Sequence, residues 1–208
     1  MKVLVLGATG GTGREIVQQL KALGHAPVVL VRSTVKAKEL GAALIQSDAR
    51  DEAALFDALA GCDAVISALG TPPSPFREVT LLSAVSRALV AAMSRRGVKR
   101  LVCITGIGAG DSRGHGGFAF DWLILPLLLR KVYADKDRQE SIVRGSGLDW
   151  SLVRPSVLND KPGRNTLRTI TDLTDFHGGT ISRTDVANFV LDQLGDDAWR
   201  HRAPLITW

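Results

Sequence analysis

The chain is poor in the residues that build disulfide frameworks and metal clusters. It has two cysteines, Cys62 and Cys103, among 208 residues. Neither belongs to a CxxC pair, and no His/Cys/Asp/Glu cluster has the spacing of metal ligands. We therefore expect no metal site and two reduced, partly buried thiols, as in a cytoplasmic protein.

Long hydrophobic runs are also missing. The most apolar window, 122–129, has about half of the ~20 residues that a transmembrane helix needs, and it contains Pro126. It predicts a buried helix or a lid over an apolar ligand. Met1 leads directly into an apolar strand, so we see no signal peptide and expect no membrane partner.

Charge of one sign is not concentrated anywhere in the chain. Lys and Arg number 26 against 21 Asp and Glu, and they are spread along the sequence. We therefore expect no nucleic-acid partner, and an anionic cofactor accounts equally well for part of the excess. With 45% hydrophobic residues, the chain is predicted to form a single domain over residues 1–208.

The N-terminus carries the most informative motif. The apolar stretch Val3–Leu6 runs into a GxxGxxG turn and then into a helix. In this strand–turn–helix context the glycines permit a tight turn, close backbone approach to a phosphate and close helix packing. Free N–H groups at the helix start favour a pyrophosphate, unless the turn serves only βα packing. The predicted contacts are Gly7, Thr9, Gly10, Gly11, Thr12 and Gly13.

Short apolar runs alternate with helical patterns along the rest of the chain. Further strands are predicted at 28–31, 43–46, 64–67, 100–104, 150–153, 180–182 and 204–207. Helices are predicted at about 12–23, 52–59, 78–96, 118–145 and 184–194, with a short Lys-rich helix before the third strand. The remaining long segments are a glycine-rich loop at 106–117 and a loop-rich stretch at 156–178, and Pro155 is expected to stop the sixth strand.

This alternation predicts an α/β fold with a Rossmann-like, doubly wound parallel sheet. Ligands of such sheets bind at the carboxyl ends of the strands. The rule selects one rim, made of Gly7–Gly13, Arg32–Ser33, Asp48, Ser67–Gly70, Thr105–Gly110 and Pro155–Val157.

Several motifs together resemble one family. They are the 7–13 turn, Val31-Arg32-Ser33, Asp48, Ser67-Ala68-Leu69-Gly70, and the sequence Ser146-Gly147-Leu148-Asp149-Trp150 that leads to Val153-Arg154-Pro155. The chain resembles, over nearly its whole length, the atypical short-chain dehydrogenase/reductases of the NAD(P)H-binding, NmrA-like kind. These include flavin reductases and biliverdin IXβ reductase.

The resemblance implies NADPH as the cofactor. Arg32, with Ser33 beside it, would contact the 2′-phosphate, and no acidic residue follows the second strand until Glu39. Lys36 and Lys38 would assist, or would form a solvated basic face. Asp48, followed by Ala49, would accept a hydrogen bond from the adenine amino group, or Asp48 caps the helix that begins near Asp51.

The resemblance also places residues at the nicotinamide end. Ala68, Leu69 and Gly70 would pass beneath the nicotinamide ribose, and the rim residues Pro155, Ser156 and Val157 would complete the cofactor site. Thr105 ends the fifth strand where many relatives keep a catalytic Ser or Thr. Its hydroxyl would orient the substrate carbonyl or the cofactor carboxamide, or it simply closes the strand.

The chain departs from typical short-chain dehydrogenases in lacking the YxxxK pair. Its only tyrosine is Tyr133, and Lys136 follows at three positions rather than four. The two can still share a helix face, so Tyr133 is a candidate proton donor and Lys136 a candidate ribose contact. His115 is either a general acid or a surface residue, and Glu140 and Arg154 are expected to pair.

These features predict an NADPH-dependent reductase of a planar conjugated acceptor such as a flavin, a quinone or a tetrapyrrole. Reduction of such acceptors requires few catalytic groups from the protein, because the cofactor supplies the hydride. Phe118, Phe120 and Trp122 would wall the acceptor site or belong to the core. The alternative is an NmrA-like redox sensor or scaffold that binds a dinucleotide and a protein partner without turnover. The missing YxxxK and the short C-terminal region disfavour a third reading, a sugar-nucleotide epimerase or dehydratase.

Overall fold

An eight-stranded, mostly parallel sheet forms the centre of the computed structural model, which describes residues 1–208. Its strand order is β3-β2-β1-β4-β5-β6-β10-β8, and β7 and β9 form a separate parallel pair. The ten strands are β1 Lys2–Leu6, β2 Ala26–Val31, β3 Ala43–Gln46, β4 Ala64–Ser67, β5 Arg100–Ile104, β6 Asp149–Pro155, β7 Val157–Asn159, β8 Arg168–Ile170, β9 Thr180–Ser182 and β10 Leu205–Thr207.

Helices cover both faces of this sheet, as the Rossmann-like prediction required. They are α1 Gly11–Ala22, α2 Glu52–Ala58, α3 Leu81–Arg96, α4 Arg130–Arg144 and α5 Arg183–Asp192. A π-helix, Phe120–Leu129, precedes α4 and is called the apolar helix below. The single-domain α/β prediction is confirmed.

Two hydrophobic cores result, one on each side of the sheet. On α1 the inward positions Ile16, Val17 and Leu20 recur at helical spacing and pack with α5. The opposite core joins α2, α3 and α4 to the other face. Because both faces are covered, the inner strands are buried along nearly their whole length, which explains their continuous apolar sequence.

The structure corrects the predicted end of the sixth strand. This strand runs through Pro155, whose carbonyl accepts the N–H of Ile107 at 2.9 Å. In a regular parallel ladder the residue at position 155 would donate its N–H to the carbonyl of Thr105. Proline has no N–H, and the Thr105 carbonyl instead accepts a hydrogen bond from Lys136 at 2.5 Å.

Two other segments also differ from the sequence prediction. The stretch 156–178 contains β7 and β8, and β8 pairs antiparallel with β10, so the sheet is not wholly parallel. The predicted helix 118–145 is divided, with π-helical geometry over Phe120–Leu129 and α-helical geometry over Arg130–Arg144. The apolar helix has no buried residue, so the prediction of a buried helix is wrong. No helix has both the length and the hydropathy required to cross a bilayer.

Candidate functional site

A cleft of about 670 Å³ opens at the carboxyl ends of the central strands. Most of the residues that the sequence assigned to the cofactor lie together on its walls. These are Gly7, Thr9, Gly10, Gly11, Thr12, Gly13, Arg32, Ser33, Asp48, Ala49, Ala68, Leu69, Gly70, Thr105, Lys136 and Pro155. The loops that follow β1, β2, β3, β4, β5 and β6 therefore meet at one site.

The glycine turn is shaped by close backbone contacts. Gly7 has φ +80°, and a Cβ on it would collide with the carbonyl oxygen of Ala68. A Cβ on Gly13 would collide with the Gly7 carbonyl oxygen, so α1 packs directly on the turn. Only glycine fits either position, and the loops after β1 and β4 are thereby held side by side.

The start of α1 is available to an anion. Gly10 is its N-cap, no side chain caps it, and its first turn has no acidic residue. The guanidinium of Arg183 lies over Gly11, where its Nε would be 2.6 Å from an added Cβ. Arg183 Nη1 also donates to Asp160 Oδ1 at 2.6 Å. The helix N-terminus and this arginine together suit a phosphate group.

The sequence analysis missed Arg183. The residue lies far from the glycine turn in the chain, at the first position of α5 after the N-cap Ser182. It reaches the cleft because α1 and α5 pack against one another on the same side of the sheet. An arginine at a helix start is common, so no local sequence signal marks it.

One end of the cleft is basic and exposed. Arg32 and Ser33 follow β2 and are exposed to solvent, and Arg32 forms no ion pair. Asp48 is held by Arg50, whose side chain and backbone N–H hydrogen bond to it and lower its pKa to about 2. Asp51, not Asp48, caps α2 by accepting from Ala53 N and Ala54 N. The alternative reading of Asp48 as a helix cap is therefore wrong.

Thr105 lies at the other end, in a buried polar network. Its hydroxyl donates to Glu140 Oε1 at 2.8 Å. The same carboxylate accepts two hydrogen bonds from Arg154, at 2.9 and 2.5 Å. The predicted pairing of Glu140 with Arg154 is present, and both side chains are at most 3% exposed. Thr105 therefore keeps only its oxygen lone pairs for a ligand.

Lys136 is the ionisable group closest to Thr105 on the cleft wall. Its ammonium donates to the Thr105 carbonyl oxygen. Burial lowers the pKa of Lys136 to about 8, although the Glu140 carboxylate acts in the opposite direction. The group can therefore change its charge close to neutral pH, as a proton donor must.

Tyr133 does not line the cleft. It is buried edge-on against Phe120, with ring centres 5.8 Å apart, and Lys136 Nζ lies 4.8 Å from the centre of its ring. Tyr133 and Lys136 thus share a helix face as predicted, but only Lys136 reaches the cleft. Burial raises the pKa of Tyr133.

Ser156 and Val157 also lie outside the cleft walls. The Ser156 hydroxyl donates to Thr207 Oγ1 at 3.0 Å, and Val157 begins β7. The neighbouring residues Pro155 and Leu158 do line the cleft, so the chain passes the site here without Ser156 or Val157 facing it.

His115 lies away from the cleft walls as well. Its Nδ1 is 3.0 Å from the carbonyl oxygen of Phe176, and its ring stacks on His177 with centres 5.6 Å apart. This pairing of distant histidines was not foreseen from the sequence. No group of three His, Cys, Asp or Glu residues could hold a metal ion.

The predicted aromatic wall is wrong for two of its three members. Phe118 is 83% exposed and Trp122 is 76% exposed, so neither shields the cleft or joins the core. Phe120 is partly buried and packs on Tyr133, but it does not line the cleft either.

The comparisons with known proteins place the chain in a family. A family model described as NAD(P)H-binding matches residues 7–197. The chain is 30% identical to the uncharacterized sugar epimerase YhfK of Bacillus subtilis, over 98% of this chain and 92% of that protein. It is also 30% identical to an NAD(P)H azoreductase of Xenophilus azovorans, over 74% of this chain and 47% of the relative.

Solved structures share the fold at lower identity. ChuY of Escherichia coli O157:H7, described as an anaerobilin reductase, superimposes with a TM-score of 0.83 at 20% identity, covering 100% of this chain and 97% of that one. A short-chain dehydrogenase/reductase of Veillonella parvula, solved in complex with NADP, gives a TM-score of 0.84 at 16% identity, covering 100% and 94%.

Proposed function

Because the chain belongs to the NAD(P)H-binding family, we propose that it is an NADPH-dependent reductase that transfers a hydride to a planar conjugated acceptor. A flavin, a quinone or a linear tetrapyrrole is an acceptor of this kind. The observation that carries the proposal is a single cleft whose walls include both the uncapped start of α1 and the unpaired Arg32.

Different residues of the cleft suit different parts of the cofactor. The glycine turn and Arg183 would hold the pyrophosphate, because backbone N–H groups, the helix dipole and a guanidinium all favour that charge. Arg32 would bind the 2′-phosphate that distinguishes NADPH from NADH. The Veillonella parvula neighbour in complex with NADP supports this choice.

The nicotinamide end supplies few chemical groups. When bound, the cofactor provides the hydride, so the acceptor needs only a proton besides it. The Lys136 ammonium would hold that proton near the cleft, and water would restore it. Thr105 would accept a hydrogen bond from the carboxamide or the acceptor, since its own hydrogen is committed to Glu140. A conjugated acceptor suits such a site, and two reductases among the similar proteins support the class.

The test is consumption of NADPH. Purified protein with saturating NADPH should oxidise it when FMN, a quinone or a bilin is added under anaerobic conditions, with one acceptor reduced per NADPH consumed. Lys136→Met should slow this turnover more than it weakens NADPH binding. NADPH oxidation no faster than in the protein-free control for all three acceptors would overturn the proposal.

A dinucleotide sensor without turnover is the second candidate. It is favoured by the position of Tyr133 outside the cleft, because the tyrosine predicted as the proton donor then does not reach the site. The same observation disfavours the chemistry of the named epimerase relative. Tight NADPH binding without consumption, together with a protein partner whose binding depends on NADPH, would select the sensor.

A reducing compartment such as the cytoplasm suits either function. Cys62 and Cys103 are both free and buried. Burial raises the pKa of Cys103 to about 12, which keeps its thiol protonated and unreactive.

A further inference from the structure

The apolar helix and the residue pair before it present an exposed hydrophobic face. Trp122 is 76% exposed, Leu127 60% and Leu123 58%. More than half of the chain's exposed large hydrophobic side chains belong to this face, namely Phe118, Trp122, Leu123, Ile124, Leu127 and Leu128. A contiguous patch of this kind on a folded protein generally marks a binding surface.

The outward side chains cannot turn inward, because the inner side of the helix is already filled. A Cβ on Gly108 would lie 3.0 Å from Phe120 and 3.2 Å from Leu125. Tyr133 fills the same space, since one of its ring carbons would lie 3.1 Å from that Cβ. The exposed face is therefore a fixed feature of this packing, and burying it requires something outside the chain.

The chemistry of the face suits lipid better than protein. Between Trp122 and Leu128 the only side-chain hydrogen-bonding group is the indole N–H. Protein interfaces usually carry about one hydrogen bond per 100–200 Å², which this sequence cannot provide from its side chains. A tryptophan at the edge of an aliphatic surface is typical of the zone between lipid headgroups and acyl chains.

Cations border the same face. Arg130 follows the apolar helix directly, is exposed and forms no ion pair. Glu78 binds Lys131 at 3.1 Å, so the loop before Glu78 reaches this end of the helix. That loop brings Arg77, also exposed and unpaired, and Phe76, which is 93% exposed. Arg77 and Arg130 thus place two free cations beside the apolar side chains, near the acidic Asp121 and Glu78, and these cations complement a surface with negative headgroups.

We propose that this face docks on an anionic lipid surface, with the apolar helix lying in the headgroup region and Arg77 and Arg130 on lipid phosphates. The sequence analysis expected no membrane partner because the run is too short to span a bilayer. A short helix can still lie in the plane of the interface, where spanning is not required.

Vesicle binding by the full chain tests the proposal. The protein is sedimented with phosphatidylcholine vesicles that contain or lack phosphatidylglycerol, and tryptophan emission is followed in parallel. We expect binding to the anionic vesicles, a blue shift that Trp122→Phe removes, and weaker binding at high salt. The double variant Leu127→Ser/Leu128→Ser should weaken binding by roughly tenfold or more, and Arg130→Gln by several-fold at low salt.

Matched controls lie at the amino ends of the central strands, away from the apolar helix. Leu23→Ser removes a leucine that is 63% exposed just after α1, and Lys99→Gln removes an exposed cation just before β5. Both should bind vesicles like the parent, and circular dichroism should show all variants folded.

Absence of vesicle binding, or binding that the double leucine variant leaves unchanged, would overturn the proposal. The proposal would also be overturned if the protein bound no vesicles but sedimented as a dimer that the double leucine variant dissociates. A second copy of the chain would then cover the face.

Discussion

Replacing Arg32 by alanine should weaken NADPH binding selectively. The side chain stands at the end of β2 on the cleft wall, exposed and without an ion pair, so its removal breaks no contact that stabilises the fold. A charge-assisted hydrogen bond contributes about 1.5–3 kcal/mol when well shielded, whereas exposed ion pairs contribute about 1 kcal/mol or less. Arg32 is exposed in the free protein, and a bound cofactor would shield it only in part, so we expect a loss of about 1–2 kcal/mol.

That loss corresponds to a dissociation constant for NADPH about 5- to 30-fold higher. NADH carries a hydroxyl in place of the 2′-phosphate, so its affinity should change by about twofold or less. Calorimetric titration of both nucleotides measures the two values directly. The matched control is Lys38→Ala, which removes the same charge from an exposed residue that does not line the cleft.

Equal losses for NADPH and NADH would refute the reasoning, because they would show that Arg32 does not distinguish the 2′-phosphate. The reasoning would also fail if Lys38→Ala weakened NADPH binding as much as Arg32→Ala does. Arg32 would then contribute to NADPH affinity through the general positive potential near the cleft and not through a contact with the 2′-phosphate.

Three further predictions follow from the same geometry. Glu140→Ala leaves the Arg154 guanidinium buried without its main partner and should lower the free energy of unfolding by about 3 kcal/mol; an unchanged urea midpoint would contradict this. Gly7→Ala should abolish NADPH binding because its Cβ collides with the backbone, whereas Gly24→Ala, with φ +75° but open space around it, should only reduce stability; cofactor titration and thermal melts separate the two effects. If the Lys136 ammonium donates the proton, turnover should fall as the pH rises through about 8, since the protonated form is present below that pKa and lost above it. Lys136→Arg should move this decline to higher pH, and an unmoved decline in kcat would exclude Lys136 as the donor.

The walls of the cleft around the glycine turn and the end of β2 could be predicted from the sequence, because the geometry of neighbouring strands determines them. Gly7 and Gly13 must be glycine for reasons that lie within the turn and the strand beside it. The position of Arg32 follows from the end of an apolar strand, since parallel strands present their carboxyl ends at one edge. Short-range patterns are sufficient for such features.

The acceptor end could not be predicted in the same way, because side-chain packing decides it. Tyr133 and Lys136 share a helix face, but a small difference in direction places only Lys136 on the cleft wall. Hydrophobic Trp122 suggested a wall or a core position, yet the π-helical turn and the filled space beside Gly108 direct it to solvent. Arg183 joined the site through the packing of α5 on α1, which no local pattern records.

The central claim is that the cleft holds NADPH for hydride transfer to a conjugated acceptor. The most direct measurement is an anaerobic single-turnover experiment with the protein, NADPH carrying deuterium at the transferred position of the nicotinamide, and FMN or another conjugated acceptor. We predict oxidation of NADPH at the rate of acceptor reduction, slowed by the deuterium and impaired in Lys136→Met. Tight NADPH binding with no oxidation above the protein-free control, for every acceptor tried, would contradict the claim.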